Sequence, residues 1–414
     1  MNETTIAPES VTADAPQETV SERPARRPRV ALEPLESGLA SRYYTDPAVA
    51  DLEQQRIFDR TWQLVGHITD LPNPGSRIVG MIGRKEVVVV RTEDGDIRAH
   101  LNTCRHRGTR LVAGPGEEKA LRCPYHGWTY HLDGSLVGAP ENRTIPCLDK
   151  AKLSLFAARA EVFCGLIFVN LDSSAAPLAP QLEGIRPLLE RYLGGDMEPF
   201  GEARIHINNS DHTQDSNWKV AVDNYLEGYH VPVAHPGLMR LLDYKRYSVE
   251  TTDTYVTYDA PLREKASDNW AERLYQRLVR PMPGLDEDDH RVFRYIAIYP
   301  NTVIDLYPDH VLLWKMNPAG VDRVDVPGTY LRRKDCDTRT RVAQKLNLYI
   351  SQITNHEDED LVQRMQIGLG NTDFEPGPLS MREKGVAWFA GRIRADLADG
   401  LDHPDAGLPK ERDR

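Results

Sequence analysis

Two short segments, separated by sixteen residues, each contain one cysteine and one histidine. Cys104 and His106 have one residue between them, and Cys123 and His126 have two. Glycines accompany both pairs, so each pair is expected in a turn-rich segment. Thiolates and imidazoles are both metal ligands. A fold in which all four of these side chains bind one metal centre must bring the two segments face to face. This requirement limits the folds that the surrounding residues can adopt.

Two metal centres use two thiolates and two imidazoles. A Rieske [2Fe-2S] cluster takes the two thiolates on one iron and the two imidazoles on the other, which raises its reduction potential. A structural zinc site also accepts two Cys and two His. Zinc fingers, however, usually pair Cys with Cys and His with His, whereas each segment here supplies one of each. The spacing therefore favours a Rieske cluster held by Cys104, His106, Cys123 and His126.

Length and composition limit the remaining possibilities. A chain of 414 residues allows two domains that each bury a core. No apolar run approaches the length of a membrane span, and the N-terminus lacks the apolar segment of a signal peptide, so we expect a soluble, cytoplasmic protein. Five cysteines do not make a disulfide framework, and a net charge of -11 disfavours nucleic acid or an anionic membrane as a partner.

Changes in sequence pattern divide the chain into three parts. Residues 1–40 are rich in Thr, Ala, Pro, Glu and Ser and are expected to form a disordered tail. Residues 41–175 combine a lead-in helix over about 46–64, started by Asp46 and Pro47, with short strands and Asp-Gly turns typical of an all-β domain. Residues 176–414 alternate strand-like and helical stretches, which fits an antiparallel sheet covered by helices. The expected fold class is α+β.

A second group of polar residues lies within residues 217–236. Asn224, Glu227 and His230 recur at three-residue intervals, so a helix through them would place all three on one side. Pro232 is expected to break that helix and to turn His235 back toward a shared ion. A mononuclear iron that accepts O2 needs two His, one carboxylate and open positions. These histidines are therefore candidate iron ligands, and the neighbouring aromatic residues are expected in the core: Trp218, Tyr225 and Tyr229.

The carboxylate is expected from the acidic run at residues 356–360. Asp360 has Arg364 one helical turn away, and an ion pair there would give it an ordinary surface role. A carboxylate on a buried apolar face needs a partner, which iron would supply. We therefore predict Asp358 as the third ligand, with its acidic neighbours as alternatives. The apolar residues on its helical face are Leu361, Val362, Met365 and Leu369.

These motifs resemble the oxygenase component of the Rieske non-heme iron oxygenases. The resemblance rests on Cys104-x-His106 and Cys123-x2-His126, with Gly108 and Gly127-Trp128 beside them, and it extends over about residues 40–395. It implies an all-β Rieske domain followed by a helix-grip catalytic domain. It also implies homotrimers in which the cluster of one subunit reduces the iron of the next through a bridging carboxylate. Glu227 matches that position, with His126 as its partner across the interface and Asn224 as a second catalytic residue.

The resemblance also bears on the substrate. Most ring-hydroxylating members have Asp at the bridge, whereas Glu227 resembles members that act on choline, betaine and carnitine-like amines. This favours hydroxylation or oxidative demethylation of a small quaternary amine. The alternatives are an aromatic ring-hydroxylating dioxygenase acting on an aromatic acid and, from another class, a Rieske electron-transfer protein without oxygenase activity. The chain has no flavin, dinucleotide or plant-type ferredoxin motif, so electrons are expected from a separate reductase or ferredoxin, with NAD(P)H as their source.

Overall fold

The computed structural model describes residues 33–203, 213–371 and 374–398. Of the disordered tail expected over residues 1–40, residues 1–32 lie outside the described residues. Where the chain is described, no helix is both long and apolar enough to cross a membrane. The helices are α1 Arg42–Thr45, α2 Pro47–Glu53, continued by a π-helical turn Gln54–Phe58, α3 Ala179–Leu182, α4 Arg186–Leu193, α5 Trp218–Tyr225, α6 Val231–Ala234, α7 Pro236–Leu241, α8 Trp270–Leu278, α9 Thr338–Leu369 and α10 Lys384–Leu397.

The strands of the described residues form two large and two small sheets. In chain order they are β1 Gln63–His67, β2 Ser76–Ile82, β3 Lys85–Arg91, β4 Ile97–Leu101, β5 Gly116–Glu117, β6 Leu121–Arg122, β7 Thr129–Tyr130, β8 Leu136–Gly138, β9 Ala157–Phe163, β10 Leu166–Asn170, β11 Met197–Ala203, β12 Thr213–Gln214, β13 Ser248–Thr251, β14 Tyr255–Pro261, β15 Val292–Ile298, β16 Thr302–Tyr307, β17 His310–Lys315, β18 Asn317–Pro318, β19 Val324–Asp325 and β20 Gly328–Arg333.

The first large sheet has the order β1-β10-β9-β4-β3-β2-β5, and every pairing in it is antiparallel. The valines of β3 are buried on both faces because successive side chains of a strand point to opposite sides. Val87 and Val89 pack into the core shared with the lead-in helix, while Val88 and Val90 pack beneath the two Cys-His segments. This central strand therefore fixes the platform on which those segments stand.

The lead-in helix is shorter than the sequence predicts. Asp46 caps it as expected, since its Oδ1 accepts a hydrogen bond from the Ala48 N–H at 2.8 Å. The helix ends in the π-helical turn at Phe58, and the predicted range to residue 64 is wrong. Gln63 and Leu64 instead pair with β10 in the sheet. The hydrogen bonds of this strand pair satisfy their backbone N–H and C=O groups, as helical hydrogen bonds would in a longer helix.

The second large sheet has the order β11-β20-β17-β16-β15-β14-β13, again with antiparallel pairings. Helix α9, which is 32 residues long, packs with α5, α7 and α8, and it shares the lining of a cavity with this sheet. The predicted antiparallel sheet covered by helices is confirmed, and so is the α+β class. The domain boundary at residues 175–176 stays a prediction.

Candidate iron centres and the cavity beside them

The two Cys-His segments form loops with the same backbone hydrogen bonds. In the first, the Cys104 N–H donates to Thr109 O, and the Gly108 N–H donates back to Cys104 O at 3.0 Å. In the second, the Cys123 N–H donates to Trp128 O, and the Gly127 N–H donates back to Cys123 O, also at 3.0 Å. Both glycines have positive φ, 76° and 70°, which a residue with a Cβ adopts only at a cost. Glycine is therefore what lets each loop turn back on its cysteine.

The loops bury the thiols and leave the imidazoles near the surface. Cys104 and Cys123 are each 2% exposed, whereas His106 is exposed and His126 half-buried. The two imidazole rings lie 4.6 Å apart between centroids, and Trp128 stacks on His106. Burial raises the pKa of Cys104, and the neighbouring Cys123 thiol adds to that effect. Two thiols inside and two imidazoles outside fit the division of ligands in a Rieske cluster.

A second group of donors converges between α6, α7 and α9. One ligand atom from each of His230, His235 and Asp358 lies within 4.8 Å of the others. His235 Nε2 is 3.0 Å from His230 Nε2 and 3.0 Å from Asp358 Oδ1. Two imidazoles and one carboxylate are the protein donors that a mononuclear non-heme iron uses, and such an iron keeps its other positions open. The residues present therefore fit such an ion.

The chain around His230 is not the continuous helix expected from the sequence. Helix α5 ends at Tyr225, before Glu227, and Pro232 occupies the first turn of the new helix α6 rather than ending an old one. The Glu227 carboxylate accepts hydrogen bonds from the backbone N–H groups of Tyr229 and His230. These local bonds replace the helical ones. The predicted placement of Asn224, Glu227 and His230 on one helical face is therefore wrong, although all three line the same cavity.

The second nitrogen of each histidine is held by a glutamate. His230 Nδ1 donates to Glu227, and His235 Nδ1 donates to Glu357 Oε2 at 2.8 Å. Such carboxylates fix the orientation of the ring, keep Nε2 directed at the shared point and raise the basicity of the ligand. The role of Glu357 is absent from the sequence prediction, which considered it only as an alternative ligand. The signal available in the sequence was the position of Glu357 directly before Asp358, the predicted ligand.

The charges of the group favour a cation. Burial lowers the pKa of His230, but the hydrogen bonds with Asp358 and Glu227 outweigh it and raise the pKa to about 10. Burial likewise raises the pKa of Asp358, but the two imidazoles outweigh it and lower the pKa to about 2. The carboxylates therefore create a negative potential, which favours protonated imidazoles when no metal is bound. A divalent ion would take the place of those protons.

The face of α9 around Asp358 is only partly buried. Val362 and Leu369 are 3% and 4% exposed, whereas Leu361 and Met365 are 36% and 40% exposed, contrary to the apolar face expected. Asp360 pairs with Arg364 at 2.7 Å, as predicted. Asp358 is directed to the two histidines, and its Oδ1 also accepts a hydrogen bond from Asn224 Nδ2 at 3.1 Å. The structure thus brings Asn224 to the carboxylate and not to either imidazole.

A cavity lies beside the three donors, between the second sheet and α9. Its sheet wall consists of side chains from one face of β14 to β17, and its helix wall consists of one face of α9. Tyr225 packs against the hydrophobic core as expected and also lines this cavity. Trp218 is buried as predicted, whereas Tyr229 is 60% exposed, so the expectation for Tyr229 was wrong. The main lining residues of the two walls are Tyr258, Phe293, Tyr295, Asp305, Tyr307 and Trp314 on the sheet and Asn347, Ile350, Ser351, Thr354, Asn355 and Asp358 on the helix.

Family models match both parts of the chain. Residues 61–149 match the Rieske [2Fe-2S] domain, and residues 198–399 match the catalytic domain of the ring-hydroxylating alpha subunit. Choline monooxygenase from Amaranthus tricolor, a chloroplastic protein, is 30% identical over 366 residues, which are 86% of this chain and 77% of that protein. The oxygenase subunit of carnitine monooxygenase from Escherichia coli K12 is 33% identical over 211 residues, which are 50% of this chain and 55% of that protein.

Solved structures share the fold. A quaternary ammonium Rieske monooxygenase bound to an inhibitor superposes with a TM-score of 0.74 at 23% identity, covering 87% of this chain and 96% of that one. Naphthalene 1,2-dioxygenase from Rhodococcus sp. superposes with a TM-score of 0.71 at 24% identity, covering 88% and 95%. The cofactors of the protein are accordingly a Rieske [2Fe-2S] cluster and a mononuclear iron. The chain belongs to the Rieske non-heme iron oxygenases, as the oxygenase component that carries both centres.

Proposed function

We propose that the protein hydroxylates or oxidatively demethylates a small quaternary amine. Cys104, His106, Cys123 and His126 hold the cluster in this proposal, and His230, His235 and Asp358 hold the mononuclear iron. The convergence of those last three donors, each histidine backed by a glutamate, is the observation that carries the assignment. When bound, the two centres supply electrons and a site for O2 beside the substrate.

The protein residues around the iron site have separate roles in this proposal. Glu227 accepts the Nδ1 proton of His230 and so leaves Nε2 free for the metal. Glu357 does the same for His235. Asn224 donates to Asp358 Oδ1, which limits how that carboxylate rotates. The aromatic sheet wall excludes water from the space in which the substrate is oxidised.

The lining of the cavity supports an amine over an aromatic acid. The described lining residues include the carboxylates Glu227, Asp305, Asp358 and Glu359, and they include neither Arg nor Lys. A substrate carboxylate would meet no Arg or Lys among these described residues and would share the cavity with the buried Asp305 carboxylate, which is unfavourable. A quaternary nitrogen would lie among aromatic faces, which attract cations. The relatives are named for choline and carnitine, and both of these molecules carry a quaternary nitrogen.

The remaining alternatives are weaker. An electron-transfer protein without oxygenase activity would need no catalytic domain, yet residues 198–399 match that of an oxygenase. The aromatic-acid alternative draws on the fold shared with naphthalene 1,2-dioxygenase, which is 24% identical and supports the fold alone. A cytoplasmic location stays a prediction.

We further propose a homotrimer in which Glu227 bridges two subunits. Its carboxylate already contacts His230, and His126 lies near the surface of the first domain, where a neighbouring subunit could reach it. Apolar side chains beside Glu227 are exposed in the single chain: Tyr229 is 60% exposed and Val233 is 90% exposed. Burial of such side chains against a partner is favourable. Electrons would reach the cluster from a separate reductase or ferredoxin, with NAD(P)H as their source.

Metal analysis of the purified protein tests the two centres. We expect about three irons and two acid-labile sulfides per chain, the sulfides and two of the irons belonging to the cluster. His230→Ala should lower the iron to about two per chain and leave the visible spectrum of the cluster unchanged. Zinc in place of iron, or an unchanged iron content in the variant, would contradict the assignment.

A substrate panel tests the reaction. The holoenzyme, a surrogate reductase and NADH are combined with quaternary amines in one set and aromatic acids in another, and O2 uptake is compared with product formed. We expect O2 uptake matched by product with at least one quaternary amine, and uptake without product, or no uptake, with the acids. Product from the aromatic acids alone would replace the proposal with its alternative.

A further inference from the structure

Asp305 is a carboxylate buried in the wall of the cavity. It lies on β16, and only 3% of its surface is exposed. Its strand partner on β15 is Tyr295, and Val303 on the same face of β16 pairs with Trp314 on β17. Side chains of one sheet face alternate with those of the other, so Asp305 shares its face with the aromatic residues of the wall. Asp305 therefore lines the cavity together with these rings.

Neutral donors hold this carboxylate. Tyr225 donates its hydroxyl to Oδ1 at 2.5 Å, Trp314 Nε1 lies 3.4 Å from Oδ1, and Tyr307 donates to Oδ2 at 3.4 Å. Within the part of the chain that the structure describes, no Lys, Arg or His forms an ion pair with it. A carboxylate buried without a counter-charge is costly to a fold. A cation that enters the cavity would supply the missing counter-charge, so its binding beside this carboxylate is favourable.

The rings around Asp305 have the geometry of a cage. The Tyr225 ring meets the Trp314 ring edge to face, with centroids 5.8 Å apart and planes at 83°. It meets the Tyr295 ring at 6.3 Å and 89°, and Tyr295 meets Tyr307 at 6.4 Å and 90°. All four of these rings line the cavity. Aromatic faces attract alkylammonium groups, which they contact through the methyl groups.

We propose that Asp305 and the rings of Tyr225, Tyr295, Tyr307 and Trp314 bind the ammonium group of the substrate, and that they select amines without a carboxylate. This inference rests on the proposed function and narrows its substrate class. A zwitterion would bring an anion into the cavity that contains the buried Asp305 carboxylate, and the described lining offers that anion no Lys or Arg. A cation that carries only a hydroxyl or alkyl group meets no such repulsion. Asp305 acts as a specificity-determining residue that binds substrate.

Binding measurements with matched ligands test this inference without turnover. Calorimetry on the oxidised holoenzyme, with no reductase present, gives the Kd of choline, of its neutral isostere 3,3-dimethylbutan-1-ol and of glycine betaine. We expect choline to bind about tenfold or more tightly than either of the others, because only choline satisfies Asp305 without adding an anion. Equal Kd values for choline and the neutral isostere would overturn the inference, and this comparison needs no variant.

Asp305→Asn then isolates the charge. The variant should raise the Kd of choline about tenfold and leave that of the neutral isostere unchanged. Asp223→Asn is the matched control, because Asp223 is also buried, accepts a 2.5 Å hydrogen bond from a tyrosine, Tyr44, and does not line the cavity. We expect it to leave the Kd of choline unchanged. Equal effects of the two variants on the Kd of choline would overturn the inference.

Turnover separates this inference from the proposed function. Product from a quaternary amine, together with an unchanged Kd in Asp305→Asn, would overturn the subsite and leave the proposed function standing. Binding of choline that depends on Asp305, without oxidation of any amine, would support the subsite and overturn the proposed function.

Discussion

Glu357 Oε2 accepts a hydrogen bond from His235 Nδ1 at 2.8 Å, across 122 residues of sequence. This bond links α9 to the short segment between α6 and α7. The next residue along α9, Asp358, contacts Nε2 of the same ring at 3.0 Å. One turn of α9 thus supplies both the carboxylate predicted to bind the metal and the group that orients an imidazole predicted to bind it.

We predict that Glu357→Ala weakens iron binding about 10- to 100-fold, since the loss of such an orienting carboxylate has effects of this size. The measurement is competition for Fe(II) with a chelator, with labile sulfide as a check that the cluster is intact. Asp360→Asn on the same helix is the matched control, because Asp360 is exposed and pairs only with Arg364 among the described contacts. Equal iron affinities in the two variants would contradict this role of Glu357.

The sequence is sufficient to propose the metal donors, because their spacing is a local property of the chain. Two Cys-His segments and one His-x4-His segment can be recognised within a few residues each. The end of helix α5 at Tyr225 was missed, because the hydrogen bonds from the Glu227 carboxylate to the following backbone are not visible in a periodic pattern. A carboxylate that accepts hydrogen bonds from nearby backbone N–H groups competes with the hydrogen bonds of a helix, and such competition depends on the individual residue.

Residues whose roles depend on distant packing could not be predicted in this way. Glu357 orients His235 only because α9 packs beside α7. Asp305 left a usable signal, since it is the one acid in the otherwise apolar or neutral stretch Thr302–Tyr307. A lone acid in a buried strand needs a partner. The partners themselves come from α5, β16 and β17, and only the folded sheet brings them together.

Glu227→Gln should retain both metal centres and lose coupled turnover about 10- to 100-fold or more. The amide can still contact His230 Nδ1 but carries no charge to stabilise two imidazoles at once, as the proposed bridge to His126 requires. The measurement is product formed per NADH consumed, with iron and sulfide contents determined on the same sample. Asp360→Asn is a suitable control, because it removes the same charge, from α9, but Asp360 is exposed and pairs with Arg364 outside the cavity lining. Full coupled turnover in Glu227→Gln would exclude the bridge.

A buried ion pair ties the lead-in helix to the helix that precedes the iron site. Lys219 Nζ lies 2.5 Å from Glu53 Oε1, and both side chains are almost fully buried. Trp218 Nε1 donates to the other oxygen of Glu53 at 2.8 Å. Loss of one charge from such a pair leaves the other uncompensated in the interior. The pair therefore makes the position of α5 depend on the lead-in helix.

We predict that Glu53→Gln lowers the free energy of unfolding by about 3–5 kcal/mol. The amide oxygen can still accept the Trp218 hydrogen bond, so the variant isolates the charge. The double variant Glu53→Gln with Lys219→Met should recover part of the loss, because neither member of the pair then remains as an unpaired charge, although the buried Asp223 loses the nearby Lys219 charge. Urea unfolding followed by tryptophan fluorescence compares the three proteins. A double variant less stable than Glu53→Gln alone would show that the unpaired charge is not the cause.

The last prediction concerns the pH dependence of cation binding. Burial raises the pKa of Asp305 to about 7, although hydrogen bonds from Tyr225, Trp314 and Tyr307 act in the opposite direction. The tyrosines that face it, Tyr225, Tyr295 and Tyr307, have pKa values raised well above 10 by burial and stay neutral near pH 7. Asp305 is thus the group of this cage that changes charge near neutral pH. A proton and a bound cation compete for the same carboxylate.

The affinity for choline should therefore fall as the pH is lowered through about 7, by roughly tenfold for each pH unit below the pKa of Asp305. Choline carries a permanent charge, so its own ionisation does not contribute. Calorimetric titrations between pH 5.5 and 8.5 measure the effect, and Asp305→Asn serves as the reference. Any slope that persists in that variant belongs to other groups, such as the histidines of the iron site. Parallel pH profiles for the two proteins would mean that the Asp305 charge does not contribute to choline binding.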